Sequence, residues 1–311
     1  MGSARVAVIG AGMSGAACAG VLRAAGVGVD LYERGRAPGG RLAAPTLHGR
    51  RVDLGAAYFT VSDDGFADVV SQWSAAGLAR EWTDTLGVLN DAARSSSSGP
   101  MRWAAPDGLR SLVRTMLDEV TVGREVVSLD ELDHDVVVLA MPDPQAQRLA
   151  GDAVDWVGYD PVVAVAAGWS RREWDFDAAF VNDDDDLAFV ADDGSRRGDG
   201  AHVLVLHTTP QRARQHLDNP DTAVVPALAA LARVAGVDTA PQWTHAHRWT
   251  FAKPAATHDA PFELTEIGGR RVAVCGDSWC PEGSPRVEAA WLSGHRLGLA
   301  LTSANGTAHL G

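Results

Sequence analysis

The feature that most constrains the fold is a glycine triplet near the start of the chain. The apolar run "RVAVI" at residues 5–9 predicts a buried strand, and the alanine-rich run "MSGAACAGVLRAAG" predicts a helix. Gly10, Gly12 and Gly15 lie between the two with the spacing G-x-G-x-x-G. A second run, "VGVDLYE", predicts a strand that ends at Glu33. This order of strand, turn, helix and strand indicates a doubly wound α/β domain.

The three glycines have different tasks in such a turn. Gly10 permits the tight turn, Gly12 lets the backbone approach a pyrophosphate, and Gly15 lets helix and strand pack closely. The first helical turn offers free N–H groups to phosphates. Glu33 lies where a carboxylate can accept hydrogen bonds from ribose hydroxyls. The sequence therefore predicts a dinucleotide site, with a turn that binds no ligand as the alternative.

A second strand-to-glycine turn lies near the end of the chain. The segment "RRVAVCGD" predicts a strand that stops at Gly276 and Asp277, and a helix is predicted from about Val287. Gly276 would let the backbone approach a ligand, and the positive end of the helix can stabilise negative charge. The alternatives are a turn cap for Asp277 and a first-turn acid for Glu288.

The residues after Glu33 separate NAD-binding from FAD-binding proteins. A nicotinamide dehydrogenase would enter another helix here, whereas this chain continues with "GGRL" at residues 39–42 and then "RRVDLGAAYFT". These motifs, together with "GDSW" and "RVEAAWLSG" near the end, resemble the renalase-like branch of the flavin amine oxidase superfamily. The resemblance is close over residues 5–60 and 270–300 and loose between them.

The resemblance implies one non-covalently bound FAD, with its adenosine diphosphate end at the first turn and its ribityl and flavin end at the second. The implied cofactor contacts are Gly10, Ala11, Gly12, Met13, Ser14, Gly15, Glu33, Arg34, Gly40, Arg41, Gly55, Ala56, Ala57, Val126, Gly276, Asp277, Val287, Glu288 and Ala290. No residue is predicted to bind a metal.

The expected fold is α/β, with a Rossmann-type FAD-binding domain like that of glutathione reductase and an inserted α+β substrate domain built on an antiparallel sheet. The FAD-binding domain is predicted to comprise residues 1–60, 104–150 and 268–311. The substrate domain is predicted to comprise 61–103 and 151–267, where most tryptophans and several strand-like runs lie. The serine run at 95–99 predicts a mobile loop.

The segment "PQWTHAHRWTFAKP" is the main candidate for a substrate contact. If it is a strand, its tryptophans and histidines share one face because side chains alternate. That face either packs a core or forms an aromatic wall beside the flavin. A zinc site is disfavoured because no third ligand is apparent. We expect the aromatic wall beside the flavin. The candidates for the substrate pocket are Tyr58, His245, His247, Trp249 and Trp291. Lys253 is a candidate flavin contact or a surface residue.

The resemblance implies an FAD-dependent oxidoreductase that transfers hydride from a small-molecule substrate to flavin N5, with dioxygen as oxidant and hydrogen peroxide as product. Within this branch the implied substrate is a dihydro-isomer of NAD(P)H, a dihydronicotinamide that is oxidised to NAD(P)⁺. Such a ring gives up hydride without losing a proton, so no side-chain base is needed. Two alternatives stay open: an amine oxidase or desaturase acting on a metabolite, and a non-catalytic FAD-fold binding protein.

Charge and composition exclude several other classes. The net charge of −13 disfavours nucleic acids and anionic membranes as partners. No apolar run approaches the ~20 residues of a membrane span. The 3 cysteines are scattered, which favours a reducing cytoplasm. The sequence has no G-x-S-x-G motif for a serine nucleophile. The oligomeric state is left open.

Overall fold

Two large sheets lie in two separate units of the chain, and residues 46–47 and 50–51 form a third sheet of two strands. The structure, a computed structural model, describes residues 5–91, 93–281, 283–284 and 286–307. Unit 1 comprises Met1–Gly40, Arg110–Tyr159 and Lys253–Gly311. Unit 2 comprises Arg41–Leu109 and Asp160–Ala252. The predicted domains divide the chain at other residues, since they give 41–60 and 104–109 to the cofactor domain and 151–159 and 253–267 to the substrate domain.

The helices and strands are numbered in chain order. The strands are β1 (Arg5–Ile9), β2 (Gly28–Glu33), β3 (Thr46–Leu47), β4 (Arg50–Arg51), β5 (Arg80–Leu89), β6 (Arg94–Ala104), β7 (Thr121–Val122), β8 (Val136–Leu139), β9 (Tyr159–Gly168), β10 (Ala178–Val181), β11 (Leu187–Asp192), β12 (Val203–Thr208), β13 (Trp243–Pro254), β14 (Glu263–Ile267) and β15 (Arg270–Val274). The helices are α1 (Met13–Ala24), α2 (Asp64–Ala75), α3 (Leu109–Thr115), α4 (Asp143–Ala150), α5 (Asp193–Arg197), α6 (Pro210–Gln215), α7 (Val224–Ala235) and α8 (Val287–Thr307). Among the described residues, no helix is both long and apolar enough to cross a bilayer.

The sheet of unit 1 has the strand order β14-β15-β8-β1-β2-β7. All neighbouring pairs are parallel except β14 with β15. β8 is apolar and buried along its whole length, as expected for a central parallel strand covered on both faces. The parallel arrangement places the turns after β1, β8 and β15 at one carboxyl edge, where open α/β sheets bind their ligands.

Helices α1 and α8 cross in close contact in unit 1. A Cβ atom added at Gly294 would lie 1.9 Å from the carbonyl oxygen of Ser14, and one added at Gly298 would lie 2.7 Å from the Val21 side chain. Glycine is therefore required on α8 because the two helix backbones approach directly. This crossing joins the first and last parts of the chain and brings both glycine turns into one unit.

The sheet of unit 2 has the strand order β13-β9-β12-β11-β10-β5-β6. Most of its recorded pairs are antiparallel, and β10 with β5 is parallel. One face packs on α7, whose buried residues Ala227, Ala230, Leu231 and Val234 recur with helical spacing. On the other face Ala164 and Ala166 of β9 pack with Val52 and Leu54. These two residues precede the predicted cofactor contacts Gly55, Ala56 and Ala57.

The prediction of a mobile loop at residues 95–99 is wrong, because these residues belong to strand β6. Ser95 pairs with Val88 and Ser96 with Gly87 of β5. Strand formation here depends on the backbone ladder with β5, which the serine-rich composition does not reveal. The serines are exposed because β6 is the edge strand of its sheet.

Candidate functional site

The turn after β1 has the geometry of a phosphate-binding turn. Gly10 has φ 109°, and a Cβ atom there would lie 2.3 Å from the carbonyl oxygen of Ala140. A Cβ atom at Gly15 would lie 2.0 Å from the Gly10 carbonyl oxygen. At Gly12, by contrast, no described atom lies within 4 Å of an added Cβ. The protein's own packing thus explains the glycines at 10 and 15 and leaves open space at 12.

The start of α1 lacks a side-chain cap. Gly12 occupies the N-cap position with extended backbone angles and no side-chain hydrogen bond. The first N–H groups of a helix have no partner within the helix, so an uncapped start favours an anion. Ala11, Met13 and Ser14 around it are buried. This arrangement fits the diphosphate of a dinucleotide.

Glu33 at the end of β2 fixes the neighbouring loops. Its Oε2 accepts a hydrogen bond from the Ala11 amide at 3.1 Å, and its Oε1 accepts one from the Gly35 amide at 2.7 Å. The amide of Gly39 donates to the carbonyl oxygen of Ala11 at 2.8 Å, and a Cβ atom at Gly40 would lie 3.6 Å from the Gly12 Cα. The structure therefore brings Glu33 and Gly40 to the turn that the glycine triplet forms.

The turn after β15 lies at the same edge of the sheet. The amide of Gly276 donates to the Ser293 hydroxyl of α8 at 3.0 Å, and the nearest atom to an added Cβ at Gly276 would be 3.7 Å away. The Tyr159 hydroxyl donates to Asp277 Oδ1 at 3.4 Å. An added Cβ at Gly276 would make ordinary van der Waals contacts, whereas Gly12 faces open space, so packing within the chain requires glycine at neither position. Both positions therefore fit a backbone that a ligand approaches.

The other predicted contacts of unit 1 differ in exposure. Val287 and Glu288 are buried at the start of α8, where Glu288 Oε2 accepts from Arg286 Nη2 at 2.8 Å, and Ala290 is half-buried. Val126 is buried in the core beside β1 and β8. The Trp291 ring stacks on His295 of the same helix at 4.5 Å. Arg34, a predicted cofactor contact, and Lys253, a candidate flavin contact, are both exposed.

In unit 2 the structure brings together three of the predicted residues, Arg41, Gly55 and Trp249. The Arg41 carbonyl oxygen accepts from the Ala56 amide at 3.0 Å and would lie 1.7 Å from a Cβ atom at Gly55. Trp249 Nε1 donates to the carbonyl oxygen of Leu54 at 2.8 Å. The Trp249 ring therefore supports the segment that contains the predicted flavin contacts Gly55, Ala56 and Ala57.

The remaining pocket candidates fall into two groups within unit 2. Side chains of β13 alternate as predicted, and the His247 and Trp249 rings meet at 4.4 Å, with His245 half-buried on the same face. Tyr58 contacts a different aromatic cluster, at 6.3 Å from Trp82 and 6.1 Å from Phe189. The predicted pocket made of all five candidates stays a prediction.

A buried charge network in unit 2 was missed by the sequence analysis. Arg196 is 1% exposed, donates to the carbonyl oxygens of Ala57 at 3.0 Å and Asp53 at 3.1 Å, and pairs with the buried Asp193. Asp193 also pairs with Arg50. The network therefore fixes the backbone at both ends of residues 53–57, which include the predicted flavin contacts Gly55, Ala56 and Ala57. Its only sequence signal is "DDGSRR", a group of opposite charges directly after an apolar strand.

Two groups near this network have displaced pKa values. Burial raises the pKa of Asp53 from 3.8 to about 6, although Arg196 opposes the shift. Burial lowers the pKa of His207 from 6.5 to about 4, and the positive charge of Arg196 acts in the same direction. The Nε2 atom of His207 is buried without a hydrogen-bond partner among the described residues. His207 is therefore neutral at neutral pH.

The two shifts predict opposite effects of pH on stability. Protonated Asp53 adds to the free energy of unfolding below pH 3.8, and this contribution is lost as the pH rises through about 6. The contribution of His207 is present above pH 6.5 and is lost as the pH falls through about 4. Each amounts to about 1.4 kcal/mol per pKa unit, so the two largely offset each other between these limits.

Single substitutions should expose each contribution. We expect the free energy of unfolding of Asp53→Asn to rise with pH between about 4 and 6, and that of His207→Gln to fall over the same window. Urea unfolding at a series of pH values measures both slopes, and the double variant serves as the flat control. Parallel profiles for wild type and both single variants would contradict the assignment.

The fold and the two glycine turns define a dinucleotide-binding α/β protein. Residues 8–73 match the family "NAD(P)-binding Rossmann-like domain". Residues 102–297 match the family "Flavin containing amine oxidoreductase", and the chain belongs to this family. It is a flavin-dependent oxidoreductase, so the non-catalytic alternative is not retained.

Individual relatives agree with this assignment. Renalase from Mus musculus is 24% identical over 326 residues, covering 88% of this chain and 92% of renalase, which confirms the renalase-like resemblance. Cyclohexylamine oxidase from Brevibacterium oxydans IH-35A matches with a TM-score of 0.73 at 12% identity, covering 98% of this chain and 100% of that chain. Putrescine oxidase bound to putrescine matches with a TM-score of 0.69 at 15% identity, covering 97% and 99%. The two structures confirm the predicted fold class.

Proposed function

We propose that the flavin is FAD, bound non-covalently with its adenosine diphosphate end in unit 1. The observation that carries this proposal is the open space at Gly12, at the uncapped start of α1 and next to Glu33. FMN would not need a site for an adenosine diphosphate. Gly276, where packing within the chain also does not require glycine, lies at the same sheet edge and suits the ribityl end.

The residues of the first turn have separate roles in this proposal. The N–H groups at the start of α1 bind the diphosphate, and Gly12 leaves room for it. Each oxygen of Glu33 accepts one amide hydrogen bond and keeps a second lone pair. Glu33 can therefore accept a ribose hydroxyl while it holds the loop. Arg34, Gly40 and Val126 are proposed to border the adenosine end.

The proposed reaction is the oxidation of a dihydro-isomer of NAD(P)H to NAD(P)⁺. When bound, the flavin supplies the hydride acceptor, and dioxygen is the proposed final oxidant. The rings of Trp249 and His247 on β13 meet at 4.4 Å and are half-buried, and we propose that a flat dihydropyridine stacks beside them, a contact worth ~0.5–1.5 kcal/mol. The support for this substrate class is the 24% identity to renalase over most of both chains.

An amine substrate is the second candidate. It is favoured by the family description and by the structural likeness to oxidases whose names specify putrescine and cyclohexylamine. An amine must reach the flavin uncharged, so an apolar aromatic cage without a phosphate-binding arginine would suit it. The two candidates differ in one respect that can be measured directly, which is whether NADH isomers or amines reduce the flavin.

Anaerobic mixing distinguishes the candidates. We expect isomers of NADH to bleach the visible flavin band of the purified protein within the mixing experiment, and a panel of primary and secondary amines to leave it unchanged. Acid or heat denaturation should release intact FAD into the supernatant, because no covalent link is proposed. Bleaching by amines alone would transfer the assignment to the second candidate. Flavin that stays with the precipitated chain, or release of FMN, would refute non-covalent FAD.

A further inference from the structure

A buried carboxylate in unit 1 joins three segments that are distant in sequence. Asp143, at the start of α4, is 0% exposed. Its Oδ1 accepts from the Ser278 hydroxyl at 2.8 Å. Its Oδ2 contacts His258 Nε2 at 2.6 Å and accepts from the Val157 amide at 3.1 Å. A buried carboxylate is costly unless several donors satisfy it, so these contacts are strongly constrained.

His258 is bound to the turn after β15 in two further ways. Its ring stacks on Trp279 at a centroid distance of 3.6 Å and an interplanar angle of 10°. Its backbone amide donates to the carbonyl oxygen of Ser278 at 2.9 Å. Together with Asp143, His258 therefore fixes the two residues that directly follow Asp277.

The arrangement of Ser278, Asp143 and His258 is not a hydrolytic triad. A nucleophilic serine must donate to the histidine, whereas Ser278 donates to Asp143. Ser278 is also 0% exposed, so no substrate can reach its hydroxyl. The cluster must therefore act through the backbone that it holds.

That backbone is the turn proposed to bind the ribityl end of the cofactor. On one side the Gly276 amide is held by Ser293 of α8, and on the other side Ser278 is held by Asp143. Residues 276–277 are thus fixed from both ends. The turns after β8 and β15 are neighbours because the two strands pair in parallel.

We propose that Asp143 and His258 are positioning residues that hold the Gly276–Asp277 turn in its FAD-binding shape. Neither residue is assigned a contact with substrate or with the reacting atoms of the flavin. The proposal rests on the proposed function, because it takes FAD to be the ligand of this turn. It predicts that breaking the Asp143 contacts raises the FAD dissociation constant while the protein still folds.

The test uses the holoenzyme and four variants: two that remove contacts of Asp143, one that retains a donor at position 258, and one control. His258→Phe keeps a ring on Trp279 but loses the contact with Asp143. Ser278→Ala removes the other side-chain donor with a minimal change in volume. The control is His134→Phe, which breaks a histidine–carboxylate contact of similar length elsewhere in unit 1, Nε2 to Asp30 Oδ2 at 2.8 Å, where the Asp30 side chain is 45% exposed. Ultrafiltration of diluted holoenzyme gives the FAD dissociation constant, and melting curves are recorded with and without excess FAD.

We expect His258→Phe and Ser278→Ala to raise the FAD dissociation constant about tenfold, as befits loss of one hydrogen bond to a charged group. The rise in melting temperature with excess FAD should be smaller than in wild type. His134→Phe should bind FAD as wild type does, and His258→Gln, which retains a donor for Asp143, should recover most of the affinity. If His258→Phe does not fold, Ser278→Ala decides the question.

Unchanged FAD affinity in the folded variants overturns the inference, even if their melting temperatures fall equally with and without FAD. That outcome would leave the proposed function intact. Wild-type protein that holds no FAD overturns the proposed function, and the inference with it. The two failures are therefore distinguished by the wild-type sample alone.

Discussion

Replacing Arg196 by methionine is expected to lower the free energy of unfolding by about 3–5 kcal/mol. The Arg196 side chain is 1% exposed and is the only recorded donor to the carbonyl oxygens of Asp53 and Ala57 among the described residues. Its removal would leave these oxygens unsatisfied and Asp193 with one cation fewer. Urea unfolding at neutral pH measures the loss.

The matched control for this prediction is Arg233→Met. Arg233 also forms ion pairs, with the exposed Asp91 at 3.0 Å and with Asp184, whose side chain is 2% exposed, but the Arg233 side chain itself is 42% exposed. Solvent screens the charge of a half-exposed guanidinium, so this variant should lose less stability than Arg196→Met. Arg196→Lys should fall between the two because it keeps the charge and loses the fork of donors. Equal losses for Arg196→Met and Arg233→Met would contradict the importance of burial.

Gly12→Ala should weaken FAD binding about 10- to 100-fold and leave the fold unchanged. No described atom lies within 4 Å of the added methyl group, and φ at Gly12 is −82°, so the backbone tolerates alanine. The methyl group would occupy the space through which the diphosphate approaches. Overpacking of this kind costs ~1–3 kcal/mol, which corresponds to the stated range of affinities.

The control for Gly12→Ala is Gly20→Ala in the same helix, where an added Cβ also has no atom within 4 Å. Alanine in a helix interior is favoured over glycine by roughly 0.5–1 kcal/mol, so this variant should be at least as stable as wild type and should retain FAD. Ultrafiltration measures FAD affinity, and urea unfolding measures stability. A Gly12→Ala protein that retains FAD fully would refute the diphosphate site.

Both glycine turns could be predicted from the sequence because each depends on neighbouring residues. The strand predicted at residues 5–9 is β1, and the strand ending at Glu33 is β2. The helix predicted from about Val287 is α8. In each turn an apolar strand, a glycine and a helix follow one another directly, so local hydrophobic periodicity and glycine spacing were sufficient.

The strand β6 shows where local reasoning failed. Four consecutive serines indicate a loop by composition, yet Ser95 to Ser98 pair with β5. The hydrogen bonds of a ladder join backbone groups, and the exposed face of an edge strand accepts polar side chains. Only the position of β5 in the folded sheet makes this segment a strand.

The sequence alone determined the dinucleotide-binding class of this protein, the family resemblance and the two turns that carry them. The tertiary structure decided which distant groups support those turns: Arg196 lies 143 residues from Asp53, and Asp143 lies 115 from His258. A buried charged group needs a hydrogen-bond or ion-pair partner, and the burial that makes this contact necessary exists only after the sheets have packed. Sequence spacing therefore does not predict these contacts between distant residues, whereas it does predict a strand that ends at a glycine.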